Sequence, residues 1–369
     1  MSELYKVGNG VKMRFNDGAV TFYSRRGTLW PDWTEKAGIK RDDVISVRVA
    51  KGTVFLPENA EGFNPGEWYY TMFGGLNNAE MIDMRGFDTS RVTSMHRMFA
   101  DCSKLKLLHL NNFNTSGVTD MSHIFDSCKS LADIDLSSFD TSNVTNMSGM
   151  FWRCGHLANL DLSNFDTSRV TDMHDMFREC ESLTNLDLSS FDTSRITNMR
   201  GMFYNCTNLT SLDLSGFDTS NVIDIGFMFN GCNSLREVDI SNVKTDRIED
   251  MSGMFYGCSS LKTLDVSGFD TSKTTRMPHM FYKCESLQEI DVSGFDTSQV
   301  INMQGMFEFC ENLRRLDLSS FDVSRVLDMR SLFAGCRNLT TVIMDPAVNR
   351  NAKTDWMFDC CQAEIIQSS

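Results

Sequence analysis

The sequence predicts an α/β solenoid, a stack of like coils each built from one short strand, a turn and one short helix. Two observations carry this. Phe73, Phe99, Phe125, Phe151, Phe177, Phe203, Phe229, Phe255, Phe281, Phe307 and Phe333 recur every 26 residues without insertion or deletion, and Cys102 to Cys336 and Leu105 to Leu339 keep the same phase. Within each unit the apolar spacing then changes from alternation to a helical period. A fixed period of this length marks units that cannot close their own core and are covered by their neighbours.

Residues 1–67 do not repeat and are assigned to a small, mostly β N-terminal cap domain, with a separate ligand domain as the alternative. Val11 to Phe15 and Val20 to Phe22 alternate around Asn16-Asp17-Gly18, a hairpin signal. Trp30 to Ile39 fits a short helix. Val44 to Val49 and Thr53 to Leu56, joined through Lys51-Gly52, read as a second strand pair.

The repeats are assigned to 68–343, starting with a degenerate copy at Tyr69, Met72, Phe73 and Leu76. In each unit, as in Ile134-Asp135-Leu136, apolar residues flank an outward Asp, the pattern of a half-buried strand. The following F-D-T-S is turn chemistry. Met147, Met150, Phe151 and Cys154 then stand at i, i+3, i+4 and i+7, one face of a helix of about two turns. The residue before that helix is Ser, Asp or Asn in every copy but one, as at a helix N-cap; Arg276 is the exception. Pro278 falls on the second helical residue, where its missing N–H costs little. Trp356, Met357, Phe358 and Cys361 echo the helix face, and 344–369 reads as a degenerate C-terminal capping repeat. Strand plus helix at fixed length gives a leucine-rich-repeat-like solenoid of about eleven coils.

Composition narrows the function. The 369 residues hold 35 Lys and Arg against 49 Asp and Glu, a net charge of −14. Such a chain repels phosphates, and no basic cluster stands out, so nucleic acid is excluded as a partner. No apolar run approaches the roughly 20 residues of a spanning helix, which excludes membrane insertion, and MSELYKVGNG lacks the layout of a signal peptide. Ten of the twelve Cys occur once per repeat at core-facing positions, without the paired spacing of zinc sites; Cys360 and Cys361 are adjacent. They read as packed free thiols, which suit a reducing setting. The six His are scattered over different columns, and no nucleophile–base pair or phosphate loop appears, so no enzymatic activity and no cofactor are expected.

Two surface columns are candidate binding residues. Asp135, Asp161, Asp187, Asp213, Asp239, Asp265, Asp291 and Asp317 share one outward strand position. Stacked, they would line up like charges, forming either a solvated acidic face or a strip for a basic partner or weakly bound Ca2+. A second column, including Asp140 and Asp166, serves the turn. On the outer helix face, Gly149, Gly201, Gly253 and Gly305 recur every 52 residues. Trp152, Tyr204 and Tyr256 follow three residues after the first three, and Tyr282 belongs to the same column. These aromatics are expected to be exposed. The pattern reads either as a two-repeat duplication or as a row of aromatic anchors for a partner.

From about residue 68 to 361 the sequence resembles the BspA-like leucine-rich repeats of bacterial surface proteins. Phe139 to Phe151 reads FDTSNVTNMSGMF, the form in which that 26-residue repeat is written. The resemblance implies a solenoid, no enzymatic activity, and adhesion or binding of a protein or glycan partner at the surface of Firmicutes-type bacteria, mycoplasmas and similar organisms. It carries no motif-defined binding residues. The expected setting is the cell surface. The missing signal and the free thiols point to the alternative, an intracellular scaffold or inhibitor using the same solenoid surface.

Overall fold

A computed structural model describes residues 4–58, 72–111, 113–345 and 348–367. The chain forms two units, Met1–Val170 with Met176–Leu183, and Thr171–Asp175 with Thr184–Ser369.

The first unit opens with β1 (Leu4–Lys6), β2 (Gly8–Asn9), β3 (Lys12–Asn16) and β4 (Ala19–Leu29). The predicted hairpin is present: β3 and β4 pair antiparallel, joined by Asp17 and Gly18 with φ of 48° and 78°. Two positive φ values are what a two-residue hairpin turn requires, and Asp-Gly supplies them at low cost. The expected helix shrinks to α1 (Trp33–Lys36). The expected second strand pair is one strand, β5 (Ser46–Phe55), running parallel to β4. Lys51-Gly52 makes no hairpin turn there; the strand continues past Gly52, at φ 86°, while the β4–β5 register shifts. Two alternating runs either side of a glycine look the same from sequence whether the chain reverses or bulges. The parallel ladder then continues through β6 (Met81–Asp83) to β8 (Leu107–His109), while β7 (Phe87–Asp88) pairs the far end of β5.

The strand order β1-β3-β4-β5-β6-β8 therefore carries the first repeats directly onto the N-terminal sheet. Trp33 is fully buried against Phe22 and Phe73, and its Nε1–H donates to the Met72 carbonyl at 2.7 Å. The boundary between 67 and 68, and Tyr69 of the first copy, lie outside the described residues.

The repeats are a solenoid, but the expected helix is absent; α1 is the only α-helix among the described residues. What replaces it is a chain of four-residue turns. In one coil, the N–H groups of Phe139, Val144, Met150, Cys154 and Leu157 donate to the carbonyls of Leu136, Thr141, Met147, Phe151 and Cys154, each three residues back, at 2.9–3.3 Å. Each of these turns begins and ends on a buried residue, and all but Met147–Met150, whose Ser148 and Gly149 are themselves buried, turn their middle pair toward the surface. Two such turns in tandem, Met147–Met150 and Phe151–Cys154, reproduce the i, i+3, i+4, i+7 spacing of a helix face. The third residue of each is left-handed: Gly149 at φ 57° and Arg153 at φ 60°. A left-handed residue at every fourth position breaks any α-helix, and positive φ at the third position is the mark of a type II turn.

The backbone accounting closes without a helix. In the preceding coil the N–H groups of Met121, His123, Phe125 and Ser127 donate to the next coil, to Asn146, Ser148, Met150 and Trp152 carbonyls. Those of Ile124, Asp126 and Cys128 stay within their own turns. Ser122 N–H is taken by the Asp120 side chain. Buried backbone groups must be paired, and here half of them are paired across coils.

Between coils the interior is a set of ladders. Phe99, Phe125, Phe151 and Phe177 stack at 5.9, 5.7 and 5.8 Å between ring centroids in the first unit, and Phe203 to Phe333 stack at 5.4–6.2 Å in the second. The ten repeat cysteines are buried and free, and along the ladder the sulfhydryls of Cys128, Cys154, Cys258 and Cys310 each donate to the Phe carbonyl of the coil before at 3.1–3.2 Å. The threonine of F-D-T-S is buried too. Thr141 Oγ1 donates to the Asp166 carbonyl at 3.0 Å and accepts the Asp166 N–H at 2.8 Å, so one hydroxyl satisfies both backbone groups of the next coil. Short parallel strands appear on one side: β9 (Ser211–Asp213) with β10 (Glu237–Asp239), and β11 (Arg315–Asp317), β12 (Thr341–Met344) and β13 (Glu364–Gln367) in sequence.

Candidate binding faces

A typical coil turns three corners, each fixed by an Asp or Asn side chain that accepts the N–H two residues on; His109, Lys244, Ser94 and Arg276 stand at such positions in single coils. In one coil these are Asp135 with Ser137, Asp140 with Ser142, and Asn146 with Ser148, at 3.0–3.1 Å. The third is the position read as a helix N-cap. The hydrogen bond is the one a cap makes, but a turn follows it. This also explains the exceptional copy. At Arg276 the residue two positions on is Pro278, which has no N–H to accept, so an Asp or Asn there would have nothing to hold.

The strand Asp column is exposed as expected and is also a corner. Asp213, Asp239, Asp265, Asp291 and Asp317 each accept the N–H of the Ser two residues later, at 2.8–3.0 Å. Those serine hydroxyl and N–H groups hold the carboxyls of Asp135, Asp213, Asp265, Asp291 and Asp317 below the usual range, and for Asp161 the Ser163 N–H is the larger cause. The neighbouring Asp265 pushes Asp291 the other way, but less. Local hydrogen bonds therefore outweigh the like-charge repulsion along the column.

Sequence reasoning missed the company these carboxylates keep. Residues two positions earlier share the strand face, so Glu237 joins Asp239 and Glu289 joins Asp291. Thr263, Asp265, Glu289 and Asp291 line a shallow groove of about 390 Å3 in the second unit. The signal was present as the i−2 position of each strand. Ca2+ is not supported: among the described residues no group of three or more His, Cys, Asp or Glu side chains converges to hold a metal. One oxygen of each column Asp already accepts a backbone N–H, and stacked carboxylates run in a line rather than around a point.

The aromatic column differs from expectation. Trp152, Tyr204, Tyr256 and Tyr282 are half-buried, not exposed. Trp152 packs on His123 at 5.6 Å, with the Arg153 and Arg178 guanidiniums 4.9 and 5.3 Å from its ring. Tyr256 and Tyr282 stack on each other at 4.4 Å, and burial together with that neighbour pushes the Tyr282 phenol up to about 12. These rings cover the outer turns.

The 52-residue spacing of glycine has a local cause that neither earlier reading contained. Gly149, Gly253 and Gly305 stand at left-handed turn positions, as do His123, Phe227 and His279 one coil earlier. A Cβ on Gly149 would clash with the His123 ring, and one on Gly253 would lie 2.7 Å from Phe227. These large side chains lean over the next coil, so glycine is required at Gly149, Gly253 and Gly305; Gly201 follows Asp175 and is not explained in this way.

No helix among the described residues is long and apolar enough to cross a membrane. No curated relative matches the chain. Solved structures of similar fold include a leucine-rich cell surface protein from Faecalibacterium prausnitzii, at 15% identity and TM-score 0.47, covering 100% of this chain and 96% of that one. A leucine-rich repeat protein from Eubacterium ventriosum matches at 16% identity and TM-score 0.42, covering 98% and 95%. The family described as "Mycoplasma protein of unknown function, DUF285" matches three times, over residues 69–186, 171–288 and 250–367. The chain thus belongs to the DUF285 family, in keeping with its BspA-like leucine-rich-repeat signature.

Proposed function

We propose that the protein is a non-enzymatic binding module, and that its working surface is the acidic strand face. The observation that supports this most is the run of exposed, hydrogen-bonded carboxylates from Asp213 to Asp317, joined by Glu237 and Glu289, in which serine hydrogen bonds favour the ionised form of Asp213, Asp265, Asp291 and Asp317. A row of fixed negative charge at coil spacing, beside a shallow groove, suits an extended basic segment of a protein partner. The aromatic column is demoted as a site, since its ring faces are occupied by neighbouring side chains. The biological setting proposed is a bacterial cell-surface adhesin or host-interaction protein, with an intracellular scaffold as the competing setting; protease shaving of intact cells separates the two.

Substitution by Asn is the sharper test of the face, because Asn keeps the corner hydrogen bond and removes only the charge. A lysine-rich decapeptide serves as the probe at low ionic strength. The triple variant Asp239→Asn, Asp265→Asn, Asp291→Asn is expected to bind it at least about fivefold more weakly, with the native affinity falling as salt rises. Equal affinity for native and variant chains would remove the strand face from consideration.

A further inference from the structure

The outer face of the N-terminal sheet carries positive charge that no acidic side chain among the described residues neutralises. Up to Glu58 the sequence has ten Lys and Arg against seven Asp and Glu, a local +3 in a chain of −14. Pairing brings those cations together: Lys6 lies opposite Lys12, Lys12 opposite Tyr23, and Arg14 opposite Thr21, which faces Arg48 across β5. Strand alternation puts Lys6, Lys12, Arg14 and Arg48 on the face that carries Tyr23. Like charges directly opposite each other in a sheet are destabilising. Even so, no ion pair engages Lys6, Lys12, Arg14 or Arg25 among the described residues. Their company is aromatic: Arg14 lies 5.8 Å from the Tyr23 ring and Lys6 5.8 Å from the Trp30 ring.

This charge borders an open groove of about 780 Å3, whose lining includes Lys6, Lys12, Arg25, Tyr23 and Val11 and no acidic residue. Ser24 also lines it; its side chain is buried and its Oγ has no hydrogen-bond partner. We propose that this groove binds a small organic anion, its carboxylate or phosphate held among Lys6, Lys12 and Arg25 and its body resting on Tyr23. The groove has the volume of a small-molecule site, with apolar walls and a few convergent charges, and cations this close gain from a shared counter-charge. A compact ligand fits better than a polyanion, because the residues beyond Glu58 hold 42 Asp and Glu against 25 Lys and Arg and repel a long acidic chain. The site is separate from the strand face proposed above and opposite in charge, so either can fail alone.

The test is calorimetric titration of the full chain with galacturonate, glucose 6-phosphate, inorganic phosphate and neutral glucose. At least one of the two organic anions is expected to bind and glucose is not, and which of the two binds identifies carboxylate or phosphate as the group recognised. The double variant Lys12→Gln, Arg25→Gln should weaken that binding about tenfold or more with its melting temperature unchanged, while the remote Lys104→Glu leaves it intact. Silence toward both organic anions, or equal binding by the double variant, overturns the site. Inorganic phosphate binding as tightly as the sugar phosphate overturns the role of Tyr23. Binding of heparin with no small-anion binding would make it a polyanion surface instead.

Discussion

The threonine of each coil shows how much one buried hydroxyl can do. Thr141 is 1% exposed and serves both the N–H and the carbonyl of Asp166. Replacing it by Val keeps the shape and strands both groups, at about 1–3 kcal/mol each. Chemical denaturation of Thr141→Val should therefore show a loss of several kcal/mol; a loss under about 1 kcal/mol would mean that the ladder is ornamental. One copy already has this change: Val323 stands in the last full F-D-x-S. Glycine shows the opposite constraint. Gly149→Ala places a side chain at φ 57° and against His123. The left-handed conformation alone costs about 1–2 kcal/mol, so thermal melting should show this variant clearly less stable than native, and wild-type stability would refute the leaning-side-chain account.

At the level of elements, the sequence showed which residues face inward and misjudged the backbone that carries them. Met147, Met150, Phe151 and Cys154 are all fully buried, as their spacing requires. Two tandem turns and two turns of helix bury the same positions, so periodicity cannot separate them. The corner Asp or Asn does not help either, since a cap and a side-chain turn use the same hydrogen bond. The sign that discriminates is Gly149, Gly201, Gly253 and Gly305 inside a supposed helix of two turns, where glycine is costly unless φ is positive. The Asp17-Gly18 hairpin was legible because its turn chemistry is specific. The strand Asp column was legible because alternation is simple, whereas the basic sheet face was not, because pairing gathers Lys6, Lys12, Arg14 and Arg48 from three separated strands. Far-UV circular dichroism tests the element assignment. A spectrum without the double minimum of α-helix is expected, and a strong helical signature would contradict it.

Over the whole molecule the charge and the thiols set the behaviour. The corner carboxyls, among them Asp135, Asp140, Asp166, Asp213 and Asp317, are lowered in the folded state. A lowered folded value favours the ionised form on folding. Its stabilisation is present above the unfolded value near 3.9 and is lost as pH falls through the folded values. Melting temperature should therefore hold from neutral pH down to about 5 and drop below about 4; an earlier decline would point to groups other than these carboxyls.

The central claim is that each coil hides the cysteine of its neighbour. Burial pushes the Cys102 and Cys336 thiols up to about 12 and raises those of Cys128, Cys232, Cys258 and Cys310 well above the ordinary value, while Cys360 is exposed. Iodoacetamide labelling of the native chain at mildly alkaline pH, read by peptide mass spectrometry, tests this most directly. The account predicts rapid modification at Cys360 and protection of the ten repeat cysteines until denaturant is added. Comparable labelling of the repeat cysteines in the native protein would contradict it.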